Sequence, residues 1–469
     1  MLIAGVAAVL AALQVAAVWC AWRAVVSART PQGAVAWVVF LLSAPYVAVI
    51  LYLFLGHHRY RGYLVARHES ARVVDGVRRL AAPLRPSARP QVDPAPFERI
   101  AEMPAVRGNA LRPLIDGKET FDAIFAGIDA AERYVLVQFY IVHDDAIGRV
   151  LRDRLVGAAG RGVAVRFMTD AVGSKALGAG YLASLREAGV TVADPKTRRR
   201  PRQRLQLNYR NHRKTVVVDG HLGFTGGLNV GDEYLGRDPA FGAWRDTHLE
   251  LRGPVVAQLQ LSFVEDWHWA TGESLLDDLV WRIPPEPSDM TALLVPTGPG
   301  DSAETGALFF FAAIAAARER VWIASPYCVP DTDVLTALKH AAMAGRDVRL
   351  LVPEVIDQHL PWLAAFAYFD ELRAAGVQIW RYQEGFMHQK VVLVDDAWAA
   401  IGTANLDNRS FRLNFETMAV GFDPRLATAV EAFLKDDFTR AVRLERPLSA
   451  QPARIRYGAP VARLFAPLL

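Results

Sequence analysis

The chain has 469 residues, a formal net charge of +4 and a sequence pI near 9.0. This length accommodates two or three domains, and the mild basicity fits an anionic partner without naming one. Cys20 and Cys328 are the only cysteines, which excludes a disulfide framework and a cysteine-built zinc site.

The first 56 residues are predicted to form a transmembrane hairpin. Leu2 to Trp22 is uncharged, with Gln14 as its polar interruption, and Thr30 to Gly56 is again free of charge. Each run reaches the roughly 20 residues that cross a bilayer core. A cleaved signal peptide fits poorly, because no basic residue precedes the first run and the second would remain. Pro45 is expected to kink the second helix, and Trp19, Trp22, Trp37 and Tyr52 are placed for the interfaces. Two arginines, Arg23 and Arg29, lie between the runs, whereas Arg59, Arg61, Arg67, Arg72, Arg78 and Arg79 follow them. That bias predicts a cytoplasmic body, its arginines resting against anionic headgroups.

From Ala82 to Pro96 the chain reads "APLRPSARPQVDPAP", expected as an extended linker within a basic, proline-rich stretch of residues 57–104. Beyond it strands and helices alternate, and they do so twice. "RYVLVQFYIV" from Arg133 is answered by "RVWIASPYCVPD" from Arg320, and "SLREAGVTVADP" by "ELRAAGVQIWRY". Arg133 and Arg320 stand 187 apart, as do Gly189 and Gly376. The predicted fold class is α/β, with two duplicated units over residues 105–285 and 286–469 sharing one centre across a pseudo-twofold axis.

The chemistry-bearing residues repeat at 176 instead. His212, Lys214, Asp219, Gly226 and Asn229 in "NHRKTVVVDGHLGFTGGLN" become His388, Lys390, Asp395, Gly402 and Asn405 in "MHQKVVLVDDAWAAIGTAN". The eleven extra residues of the first copy fall within "KTRRRPRQRLQL". Between lysine and aspartate, "TVVV" and "VVLV" read as strands buried on both faces. Histidine and lysine at i and i+2 point to one side of a strand, so each copy presents an imidazole and an ammonium to a common volume.

Such a set suits a phosphodiester, whose charge repels nucleophiles until its oxygens are neutralised; two lysines and two asparagines can do that. A neutral histidine attacks phosphorus while a protonated one supplies the leaving alkoxide with a proton, and the roles then reverse. No cofactor or metal is expected, since the lysines supply the charge and no acidic or cysteine ligand set is evident. Asp219 and Asp395, though part of the catalytic motif, are expected to hold strand ends and turns.

The paired motif resembles the phospholipase D superfamily over nearly the whole chain. Within it, the chain is similar to bacterial cardiolipin synthases with an N-terminal transmembrane hairpin. The residues that carry the likeness are "NYRNHRKTVVVDG", "GFTGGLNVGDEYLG", "WRDTHLELRGP", "SPYCVPD", "HQKVVLVDD", "IGTANLDNRSFRLNFE" and "RLFAPLL". The resemblance implies a covalent phosphatidyl-histidine on His212, with His388 as acid and base. It implies phosphate binding by Lys214, Lys390, Asn229 and Asn405. Aligning "RDTHLEL" with "FETMAVG" assigns the histidine-orienting carboxylates to Asp246 and Glu416.

The implied reaction joins two phosphatidylglycerol molecules into cardiolipin and glycerol at the cell membrane, with anionic phospholipid as partner and no nucleic acid. A hydrolytic phospholipase D, a transferase using another alcohol, a membrane-tethered nuclease and a lipid-binding scaffold are the alternatives. Lys196, Arg198, Arg199, Arg200, Arg202 and Arg204, with Arg210 and Arg213 adjoining, form a basic run expected either as a solvated loop or as a membrane-facing patch. His143, His248 and His359 are expected to be structural or peripheral.

Overall fold

The computed structural model describes residues 2–27, 31–56, 71–85, 92–193, 210–301 and 303–469. These fall into an N-terminal unit, within residues 2–56, and a body that begins at residue 71. The basic run Lys196–Arg204 and Arg59, Arg61 and Arg67 lie outside the described residues.

In the N-terminal unit α1 (Leu2–Ser27) has 26 residues, about 39 Å at 1.5 Å per residue. The second apolar run is not one helix. It breaks at Ala44 (φ −135°, ψ 59°) into α2 (Pro31–Ser43) and α3 (Pro45–Leu55), because a proline ring cannot follow a helical residue without clash. Among the described residues α1 alone is long and apolar enough to cross a bilayer as an unbroken helix. Ala17, Cys20, Ala24, Leu41, Ala48 and Tyr52 bury one another where the three helices meet, and the small side chains let the backbones approach closely.

The body is built on one continuous mixed sheet. Its first half contributes β1 (Val106–Ile115), β2 (Tyr134–Phe139), β3 (Ala164–Thr169), β4 (Thr191–Ala193), β5 (Arg210–Asn211), β6 (Thr215–Val218), β7 (Leu222–Gly226), β8 (Trp244–Arg245) and β9 (Thr247–Arg252). The second contributes β10 (Met290–Thr297), β11 (Arg320–Ala324), β12 (Cys328–Val329), β13 (Asp347–Pro353), β14 (Gln378–Tyr382), β15 (Phe386–Met387), β16 (Val391–Val394), β17 (Trp398–Gly402), β18 (Leu406–Asp407), β19 (Asn414–Gly421) and β20 (Ala441–Arg443). The strand order β20-β14-β13-β11-β16-β17-β19-β10-β1-β9-β7-β6-β2-β3-β4 reads alike from either end, apart from the edge strand β20. The halves meet where β1 runs antiparallel to β10. Within each, β2-β3-β4 and β11-β13-β14 are parallel, and the motif strands β6 and β16 are antiparallel to their neighbours. This is the duplicated α/β fold the repeat predicts.

One expectation is corrected here. The segment Ala82–Pro96 is not extended throughout: Ala82–Leu84 is a single 3-10 turn and Ala95–Pro96 opens the helix Ala95–Ala101, while Ala71–Ala81 before it is also a helix. Phe97 is buried against Phe309, Trp398 and Phe422 of the second half. Arg78 donates to the Glu102 carbonyl and, partly exposed, pairs with Asp75.

Candidate active site

Each motif histidine reaches the centre on a short segment that crosses into the other half. β5, just before His212, pairs in parallel with the start of β19, and β15, just before His388, pairs in parallel with β8. The histidine backbones continue these ladders, His212 N–H donating to the Phe415 carbonyl and His388 N–H to the Arg245 carbonyl. One residue further along β19 is Glu416, and one further from β8 is Asp246. Backbone register alone therefore sets each imidazole beside a carboxylate of the opposite half.

The side chains complete the exchange. His212 Nδ1 lies 2.9 Å from Glu416 Oε2, and His388 Nδ1 lies 2.8 Å from Asp246 Oδ2. Both carboxylates are buried. A carboxylate on Nδ1 keeps a hydrogen there and directs Nε2 towards substrate. Lys214 and Lys390 fold their ammonium groups back onto the carbonyls of His212 and His388, respectively.

The two carboxylates are not equivalent. Glu416 accepts from four groups: His212, the Thr403 hydroxyl at 2.6 Å, the Ser410 hydroxyl at 3.1 Å and the Asn414 amide at 3.0 Å. Burial works to raise its pKa, but His212, Lys214 and the Thr403 hydroxyl outweigh it, and the carboxyl stays below its ordinary value. Asp246 accepts from His388, the Thr247 N–H and, at 3.4 Å, the Trp244 indole. There burial wins against Lys390 and the Thr247 N–H, and the carboxyl is raised. One contribution to the difference lies at a single position of the repeat: where the second copy has Thr403, the first has Gly227. A Cβ on Gly227 would lie 1.9 Å from Asp246 Oδ1.

Burial also lowers both imidazoles, His388 further because the Lys390 and Lys214 charges face it. Lys214 is pushed down to about 7 and Lys390 to about 8, burial being the main cause. Two lysines buried side by side offer the concentrated positive charge that suits a phosphate group.

Asn229 and Asn405 occupy equivalent loops and differ in engagement. Asn229 accepts from the Ile141 N–H and donates to the Tyr234 hydroxyl, leaving one amide hydrogen. The Asn405 side-chain oxygen is buried with no partner among the described residues.

Asp219 and Asp395 stand at the far ends of β6 and β16, about 16 Å along the strand from the lysines. Each adopts a left-handed turn conformation (φ 51°). Asp219 accepts from the backbone N–H groups of Glu132, Arg133 and Tyr134, and Asp395 from those of Arg318, Glu319 and Arg320. Grouping them with the catalytic residues is thus corrected: they anchor the starts of β2 and β11, as expected of residues that hold strand ends and turns.

Arg213 is corrected too. It is 1% exposed and donates to Asp266 at 2.9 Å and to the carbonyls of Glu416 and Thr297, so it braces the centre and forms no membrane patch. His248 is buried, with neither ring nitrogen partnered among the described residues. His143 pairs with Glu233 at 3.2 Å, and His359 begins an exposed helical turn.

Several groups at the centre were not picked out from the sequence. The Tyr140 ring packs edge-on against His212, 4.8 Å between centroids, with Lys214 over its face at 5.6 Å. Its counterpart Tyr327 donates to Asp357. Tyr140 and Tyr327, like Asp170 and Asp357, stand 187 apart, so the offset seen at the strand starts carried the signal.

Known proteins share this chain's sequence and fold. The family described as "Cardiolipin synthase, PLD-like domain" matches residues 124–267 and 310–438, and "Phospholipase_D-nuclease N-terminal" matches residues 15–57. The chain is 44% identical over 461 residues to a protein named cardiolipin synthase A from Pseudomonas fluorescens, covering 95% of each. It is 45% identical over 476 residues to the protein of that name from Pseudomonas aeruginosa, covering 98% of this chain and 95% of that one. A crystal structure of phosphatidylserine synthase from Haemophilus influenzae superimposes with a TM-score of 0.61 at 14% identity, covering 80% of this chain and 99% of that one, and so shares the fold.

Proposed function

The chain belongs to the cardiolipin synthase family with phospholipase D-like domains, and from that premise we propose a phosphatidyltransferase that converts two phosphatidylglycerol molecules into cardiolipin and glycerol. The observation that carries this reading is the crossed pair His212–Glu416 and His388–Asp246, flanked by two buried lysines.

His212, neutral with its Nδ1 hydrogen on Glu416, attacks phosphorus through Nε2. A P–N bond forms, the P–O bond to the departing glycerol breaks, and His388 gives that oxygen a proton. In the second step the hydroxyl of another phosphatidylglycerol loses its proton to His388 and its oxygen attacks phosphorus. The P–N bond breaks and His212 is regenerated. Lys214, Lys390, Asn229 and Asn405 hold the phosphate oxygens as charge builds on them.

The assignment of roles follows from the unequal carboxylates. Phosphorylation on Nε2 turns the imidazole into a cation, which needs a partner that is ionised throughout; Glu416, with its four donors, fits best. His388 faces two lysine charges, so its protonated form is a strong acid, and the arriving phosphodiester offsets those charges long enough for it to act. One phosphodiester replaces another, so no nucleotide is consumed.

We place the enzyme in the cell membrane, with both apolar runs crossing and the body on the cytoplasmic side. The length of α1 and the arginine excess after the hairpin support this.

Product analysis tests the reaction. Full-length protein in phosphatidylglycerol liposomes is expected to release cardiolipin and glycerol in equal amounts, and His212→Ala and His388→Ala to release neither. Phosphatidic acid as the sole product would make the enzyme a hydrolase, and DNA cleavage in chelator without lipid turnover would make it a nuclease.

A further inference from the structure

The last helix, Ala453–Arg463, turns one face inward and leaves another bare. Ile455, Ala459 and Ala462 are buried, and the helix packs against the helix His359–Ala374. Tyr457, Val461, Leu464 and Phe465 are 67%, 57%, 77% and 47% exposed. Their spacing of four, three and one puts them on a single stripe. Leu360 and Leu363 from the neighbouring helix join Tyr457, Val461 and Phe465 around a groove of about 440 Å³. A contiguous exposed apolar face marks an interaction surface.

Both elements that build this face connect through a few residues to segments that hold groups of the candidate site. The final residues are tied to Arg409, whose backbone N–H donates to the Leu469 carbonyl and whose guanidinium donates to that of Leu468. Ser410, the residue after Arg409, donates its hydroxyl to Glu416 at 3.1 Å. Leu360 follows Asp357 by three residues, and Asp357 accepts from the Tyr327 hydroxyl.

We propose that this face inserts into the lipid leaflet and seats the mouth of the active site on the surface from which both lipid substrates enter. The inference rests on the proposed lipid reaction and goes beyond it by assigning a second membrane contact, made by the body itself. Charge argues for a bilayer over a second protein. Arg454 lines the groove, Arg456 lies over the Tyr457 ring at 5.4 Å, and Arg463 closes the helix. Arginines interleaved with aromatic and aliphatic side chains, on a helix that carries no acidic residue, are the pattern of helices lying in an anionic interface.

Full-length protein in phosphatidylglycerol vesicles, with Cys20→Ala and Cys328→Ala, provides the test. An environment-sensitive fluorophore is attached at Val461→Cys or, as a control, at the 76% exposed Met343→Cys. Spin-labelled lipid is expected to quench position 461 at least threefold more than 343, and aqueous iodide to do the reverse. Iodide reaching both positions equally overturns the proposal. So does self-quenching between labelled copies, which would mean a dimer. Val461→Asp with Leu464→Asp is expected to lower turnover in vesicles about tenfold and leave turnover of dihexanoyl phosphatidylglycerol, below its micelle concentration, unchanged. Equal loss on both substrates counts against docking. Lipid quenching without any cardiolipin product would overturn the reaction and leave the docking standing.

Discussion

His212 is hydrogen-bonded to Glu416 across 204 residues of sequence and across the boundary between the two halves. The reciprocal bond joins His388 to Asp246. Neither half therefore owns a complete histidine–carboxylate pair, and the enzyme needs both copies of its repeat for geometry as well as for residue count.

Glu416→Gln should lower kcat about a hundredfold or more while KM changes little, because the amide cannot stabilise the charged imidazole. It also faces three donors besides His212 with one acceptor oxygen, so a stability loss of about 1–3 kcal/mol should accompany it. Steady-state kinetics and thermal unfolding on the same preparation check both parts.

Gly227→Ala should behave as a remote active-site lesion. Its Cβ would press on Asp246 Oδ1, turning His388 out of line and lowering kcat at least about tenfold. Thr403→Ala at the equivalent position opens space and removes one donor from Glu416, at a cost of about 1–2 kcal/mol in stability. Opposite steric signs at matched positions are the outcome to measure.

The alkaline limb of kcat/KM should fall between about pH 7 and 8, where Lys214 and Lys390 lose their protons. Deprotonation removes the charge that binds phosphate, so KM should carry the loss, and saturating lipid should shift the limb upward because a bound anion favours the charged lysines. A pH profile of KM and kcat measured separately decides this.

His248 has its pKa pushed down to about 3 by burial, against an ordinary 6.5. The folded state holds it neutral while the unfolded state binds the proton, so its contribution is present above pH 6.5 and is lost as pH falls towards 3. Met418 occupies the matching place on β19, next to Gly402 as His248 is next to Gly226. His248→Met should therefore flatten the fall in melting temperature between pH 7.5 and pH 5 without lowering stability at neutral pH.

How much of this was legible in the sequence depended on whether a signal was local or tertiary. The duplicated histidine, lysine and asparagine positions repeat in register, and the strands around them are short apolar runs, so the two α/β units and their centre could be read directly. Asp246 and Glu416 could be aligned, yet their exchange between halves could not, because the parallel pairings of β5 with β19 and β15 with β8 involve two residues each. Arg213 looked like part of a basic surface since its partner Asp266 lies 53 residues away. Phe97 was hidden by the prolines around it, although the helix it sits on fills a pocket between Phe309 and Trp398.

The central claim is a covalent phosphatidyl group on His212, and trapping it is the most direct test. A phosphatidyl-p-nitrophenol substrate has a leaving group that needs no acid, so His388→Ala should form the adduct quickly and then stall without its general base. Peptide mass spectrometry after acid-free quenching should place the phosphatidyl mass on the His212 peptide of His388→Ala and find none in His212→Ala. An adduct on His388 in the His212→Ala variant would reverse the assigned roles, and a His212→Ala enzyme that still formed cardiolipin without any adduct would contradict the covalent mechanism itself.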